Sequence, residues 1–141
     1  MPYEDGGVYP RALSPKDTSH KDSITFIGMR IANNPDGSFH MKVYDKRDDF
    51  PFKVRNYPYL ESNIPAVICY NSFLSRLLAF KWISSKAGDF IASGVGLANM
   101  LRERNYSRRR LINRFRTFLT ANNHYKDKVL DLVQCFKVKL N

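Results

Sequence analysis

Between positions 102 and 116 the chain carries Arg102, Arg104, Arg108, Arg109, Arg110, Arg114 and Arg116, with Tyr106 among them. A guanidinium is permanently charged and presents a planar fork of donors that matches phosphate oxygens. The chemistry such a cluster offers is the gripping of anions, and a neighbouring tyrosine adds a ring on which a sugar or base can stack. Arg108, Arg109 and Arg110 fall in the first turn of a predicted helix, where the dipole disfavours cations by about 0.3–1 kcal/mol each. A sequence tuned for stability alone would place Asp or Glu there. The free N–H groups of that helix start also suit a phosphate. Arg102 and Arg104 end the preceding helix, where cations suit the dipole and need no ligand. The competing reading of the whole cluster is a solvated charged face.

Other residue types give less. Asp48 and Asp49 are adjacent carboxylates of the kind that hold divalent ions, but Lys46 and Arg47 precede them, so a local salt bridge or loop cap is the expected role. The histidines at 20, 40 and 124 share no ligand spacing, and no Ser or Cys stands in a nucleophile context. There is no Walker-type glycine loop. The expectation is therefore no metal site, no cofactor and no catalytic set in this chain. Cys69 and Cys135 are far apart and read as small buried hydrophobes in a reducing compartment.

The formal net charge is +10, from 23 Lys and Arg against 13 Asp and Glu, which favours polyanionic partners. Of the 141 residues, 43% are hydrophobic, so a packed core is expected. No signal peptide and no membrane-spanning run is legible, and the expected location is intracellular, nucleus or cytoplasm, with no membrane partner.

The elements that must position these residues follow from periodicity. Residues 1–22 carry Gly6, Gly7 and three prolines and read as an irregular lead-in. Alternation over 23–31, the turn residues 33–37 and renewed alternation over 39–44 predict a β-hairpin. Residues 45–65 read as a long ordered loop, fastened by Phe50, Phe52, Tyr57 and Tyr59. From 66 the pattern is helical. The first helix is apolar over much of its circumference and is expected to be buried. The second is expected to start at an Asp89 N-cap, to contain Gly94 and Gly96, and to end at a left-handed Asn105. The third starts at Ser107, with Leu111, Ile112, Phe115, Phe118 and Leu119 on one stripe. At about 100° per residue its opposite surface receives Arg109, Asn113 and Arg116, with Arg110 and Arg114 on the flank. A last helical segment spans 126–140. The fold class is α+β, an N-terminal β-hairpin followed by a bundle of three to four helices, with divisions at 1–22, 23–65 and 66–141.

The run VYPRALSPKDTS, then TFIGMRI, then KVYDKRDDFPFKVRNYPYLESNIP, the helix SFLSRLLAF and LRERNY resembles the C-terminal part of reverse transcriptases of animal retroelements, most closely the Penelope-like and related non-LTR group. Tyr44 to Phe50 and Asn63 to Pro65 carry the likeness most closely. The resemblance implies that Phe26, Ile27 and Gly28 form a primer grip and that the helices form a thumb tracking a template-primer duplex, with Lys81 joining the arginines and Tyr106 on nucleic acid. The expected partner is then RNA–DNA or DNA duplex, bound without sequence readout, together with a palm and fingers region. The family's catalytic aspartates, one of them in a Tyr-x-Asp-Asp hairpin, are not present in this chain. RNA-directed DNA polymerase activity, and its Mg2+, would belong to a complete polymerase. The alternative is a non-catalytic protein-interaction or scaffolding domain, or a decayed element copy, with the apolar first helix and the aromatics of 50–59 forming a contact surface.

Overall fold

Ile27 and Gly28 split what alternation alone reads as one strand. Both have positive φ, 44° and 75°, the pairing that turns a chain in two residues with a twist matched to the flanking strands. The result is two strands, β1 (Ser23–Phe26) and β2 (Met29–Asn33), with Phe26 opposite Met29. The expected single strand over 23–31 is corrected accordingly. A third strand, β3 (Phe39–Val43), pairs antiparallel with β2, giving the order β1-β2-β3. Its turn is held by the Asp36 carboxylate, which accepts from Ser38 N at 2.9 Å and Ser38 Oγ at 2.6 Å. Those bonds lower the Asp36 pKa. A computed structural model of the chain describes residues 22–52 and 57–141; the expected lead-in lies almost wholly outside them.

Four helices follow: α1 (Ala66–Ile83), α2 (Ala87–Arg102), α3 (Arg108–Ala121) and α4 (Val129–Lys139). The architecture is the expected α+β, an N-terminal hairpin and a helical bundle. Pro65 precedes α1, where its fixed φ and missing N–H do no harm. The expected last helix begins with a 3-10 segment, Asn123–Lys128, before α4. Asp89 is not the cap of α2, which begins two residues earlier; it sits in the first turn, and one of its oxygens lies 2.6 Å from His40 Nε2 of β3. That contact and the bonds of Met41 with Ser85 fasten the sheet to the α1–α2 junction: Ser85 N donates to Met41 O at 2.9 Å, and Met41 N donates to Ser85 Oγ at 3.0 Å.

The core is aromatic. Phe73, Phe90, Phe115 and Phe136 are fully enclosed, with Leu77, Leu111 and Leu119 around them. Phe115 stacks on Phe136 with ring centroids 4.1 Å apart and faces Phe90 at 5.9 Å. Gly94 lets these rings approach α2: a Cβ there would lie 3.3 Å from Leu77 Cδ2 and within 4 Å of both Phe115 and Phe136. Gly96 faces open space. The tight packing anticipated for this glycine pair therefore holds for Gly94 alone.

Two burial expectations change. α1 encloses Cys69, Tyr70, Phe73 and Leu77 but leaves Val67, Ile68, Leu78 and Trp82 exposed. Cys69 is buried as expected, whereas Cys135 is exposed. Among the described residues no helix is long and apolar enough to cross a membrane.

These environments separate the two glycines. Gly96→Ala is expected to stabilise the fold by about 0.5–1 kcal/mol, since alanine restores helix propensity and meets nothing. Gly94→Val is expected to destabilise it by about 1–3 kcal/mol through overpacking against Leu77 and the two rings. Urea unfolding followed by circular dichroism checks both; equal effects would mean that the close approach at Gly94 is wrong.

Candidate functional site

Asn105 turns the chain between α2 and α3 through a left-handed residue, φ 67°, as its type permits. The reversal drives its neighbours inward. Arg104 is only 9% exposed: its guanidinium donates to Tyr57 O at 2.6 Å and lies over the Tyr59 ring at 4.5 Å. Its own carbonyl accepts from Leu60 N. Tyr106 is fully buried, donates to Pro58 O at 3.2 Å, and meets Tyr70 edge-on. These two residues clip the 57–60 segment onto the bundle, which takes them out of the open arginine face of α3.

The rest of the basic set divides between structural ties and free surface. The Arg108 guanidinium donates to Lys137 O at 2.7 Å and to Leu140 O at 3.5 Å, covering carbonyls at the C-terminal end of α4. At about 100° per residue Arg108 shares the stripe of Leu111 and Phe115, so its inward course was readable from spacing. Arg102 is exposed and donates to Tyr106 O at 3.0 Å. Lys81 donates to Asn122 Oδ1 at 3.0 Å, which ties α1 to the end of α3.

Arg109, Arg110, Arg114 and Arg116 remain on the outer side of α3. Arg109 and Arg116 are exposed, and their guanidinium groups make no hydrogen bond or ion pair among the described residues. Arg110 sits 5.9 Å from the Tyr70 ring centroid. Together with Asn113, Arg114 and Thr117 it lines a groove of about 330 Å³ against Val67 of α1. Neither α1 nor α3 contains an aspartate or glutamate, so neither helix offsets its cations with acids of its own.

The Phe26, Ile27 and Gly28 tip is exposed, with Ile27 at 79%. It belongs to the sheet that packs through β3 on α1 and α2, so the tip and the α3 arginines stand on separate elements. The salt bridge or loop cap expected of Asp48 and Asp49 falls to Asp45 instead, which caps the 46–49 turn and takes the Arg47 guanidinium. Asp49 accepts from the Tyr44 hydroxyl, which raises the Tyr44 pKa, and Arg47 pairs with Asp45, holding that carboxyl below its ordinary range. Among the described residues no group of three His, Cys, Asp or Glu could hold a metal ion.

One feature had no sequence signal. Asp45, Arg47, Phe50, Phe52, Asn99 and Glu103 are among the residues around a cavity of about 520 Å³ between the 45–52 segment and α2. Phe50 and Phe52 do not fasten the loop to the domain as expected; they stack on each other at 5.3 Å and stay 46% and 63% exposed. Comparison with protein-family models, with curated proteins and with solved structures gives no match to this chain.

Burial raises the pKa of the Tyr106 phenol above its ordinary 10.0, with a smaller contribution from Cys69. The fold thus holds the proton more tightly than the unfolded chain does, so this contribution is complete below pH 10 and is lost as pH rises beyond it. Burial shifts Tyr125 the same way. Tyr106→Phe is expected to lower stability at pH 7 by about 1 kcal/mol, from the lost bond to Pro58. It is also expected to flatten the alkaline decline, measured by urea midpoints from pH 8 upward; an unchanged decline would refute the buried-phenol assignment.

Proposed function

We propose that the protein binds nucleic-acid duplex through backbone phosphates, using the outer face of α3. The observation that carries this reading is the set of four arginines, Arg109, Arg110, Arg114 and Arg116, on a helix that contains no carboxylate. Arg109 and Arg116 are seven residues apart, about 10 Å along the axis, close to the rise of three nucleotides on one strand. A row of that pitch can follow consecutive phosphates. Contacts of this kind fix position and carry no sequence information, so binding is sequence-nonspecific. Arg102, beside them at the end of α2, keeps donors beyond the one engaged on Tyr106 O.

The wider reading, a primer-grip and thumb piece of a retroelement reverse transcriptase, rests on the residue string from Val8 to about Leu119. The exposed tip at Ile27 and Gly28 supports it as a surface of the hairpin open to a partner. In that reading the polymerase chemistry belongs to a palm region elsewhere, and this chain supplies the grip.

With Arg104, Tyr106, Arg108 and Lys81 committed to the fold, about four phosphates are contacted instead of the larger number that the arginine count suggests. The expected slope of log affinity against log salt for a DNA duplex is about −3.6. Replacing Arg109 and Arg116 by glutamine is expected to reduce that slope by about 2 while the helical circular dichroism spectrum is kept. Affinity indifferent to salt, or unchanged in the double variant, would overturn the proposal.

A further inference from the structure

Val67, Leu78 and Trp82 are 61%, 44% and 75% exposed on α1. With the half-buried Leu74 between them they fall within about 80° of the helix circumference, at steps of seven, four and four residues, with the exposed Asn71 the polar residue in the same arc. The stripe is about 22 Å long. Its borders are cationic: Arg110 and Arg114 flank the groove at the Val67 end, and Lys81 lies over the Trp82 ring at 5.4 Å.

We propose that this face docks an acidic amphipathic helix of a partner protein, its apolar side on Val67, Leu78 and Trp82, and a flanking carboxylate in the groove against Arg110 and Arg114. Charge selects this occupant. A second copy of the chain would set cations opposite cations, because α1 and α3 contain no carboxylate. A polynucleotide offers the arginines phosphates but leaves the apolar stripe without a partner. A bilayer surface does not enter a concave notch that lies between two helices, whereas a glutamate side chain does. The two readings share Arg110 and Arg114 and differ in the rest: duplex binding also uses Arg109 and Arg116, and peptide docking also uses the apolar stripe of α1.

Trp82 is the only tryptophan of the chain, so its emission reports on this face. The probe is a synthetic helical peptide with leucines at three- and four-residue steps flanked by glutamates, titrated into the full-length protein. A saturable blue shift at one peptide per chain is expected, weakened about tenfold in Val67→Ser/Leu78→Ser and in Arg110→Gln/Arg114→Gln. Val67 and Leu78 are both largely at the surface, and a helical circular dichroism spectrum equal to the parent's checks that the variant keeps its fold. No shift, or an equal response to polyglutamate or to anionic phosphatidylglycerol vesicles, would overturn the proposal. So would an emission shift on simple concentration of the protein, which would indicate a second copy on this face. A reduced salt slope of duplex binding in Arg109→Gln/Arg116→Gln with the peptide response intact distinguishes failure of one reading from failure of the other.

Discussion

Phe115 lies between Phe90 and Phe136, its ring almost parallel to both, at 5.9 and 4.1 Å. One side chain of α3 thereby joins α2 and α4, and Gly94 lets the rings come close to the backbone of α2. Burying a ring of this size stabilises the fold by about 2–3 kcal/mol, and stacked pairs add about 0.5–1.5 kcal/mol each. The rotation of α3 about its axis is set by this contact. With Phe115 inward, Arg109 and Arg116 must face outward, so the charge distribution of the surface follows from packing at the centre.

The same rotation explains why arginines adjacent in sequence do different work. Arg108 points along the buried stripe and reaches the last carbonyls of α4, while Arg109 and Arg110 diverge from it by about 100° and 200°. Arg104, on the far side of the left-handed Asn105, is pulled onto Tyr57 and Tyr59. Arginine suits both tasks because its fork serves backbone carbonyls and aromatic faces as readily as phosphates. A cluster of seven in the chain therefore becomes a smaller binding face and a set of struts.

The sheet departs from the common arrangement of an apolar face turned to the core. Ile24, Ile31 and Met41 pair across the strands, as do Phe26, Met29 and Val43, yet Ile24, Phe26 and Met41 are 48%, 58% and 37% exposed. The opposite face carries His40, which meets Asp89 of α2. A polar contact and the backbone bonds at Ser85 thus seat the sheet. Together with the open stripe of α1, this leaves two apolar surfaces on a molecule whose aromatic core is otherwise closed, and such surfaces mark places of contact.

Local patterns determined much of this protein. The 3.6-residue recurrence of Leu111, Phe115, Phe118 and Leu119 placed α3 and its core face, Asn105 marked the reversal before it, and Asn33 to Gly37 marked the β2–β3 turn, because these signals act over a few residues. The turn at Ile27–Gly28 was invisible: a β-branched residue with positive φ contradicts its own propensity and is imposed by pairing on both sides. Spacing also marked the outward arginines of α3, whereas only the tertiary structure decided that Arg104 is drawn onto Tyr57 and Tyr59, that α1 keeps one side open, and that Tyr106 belongs to the core. Those outcomes depend on which groups from distant segments, such as Tyr57, Pro58 and Leu140, arrive within hydrogen-bond reach, and no spacing along the chain encodes that distance.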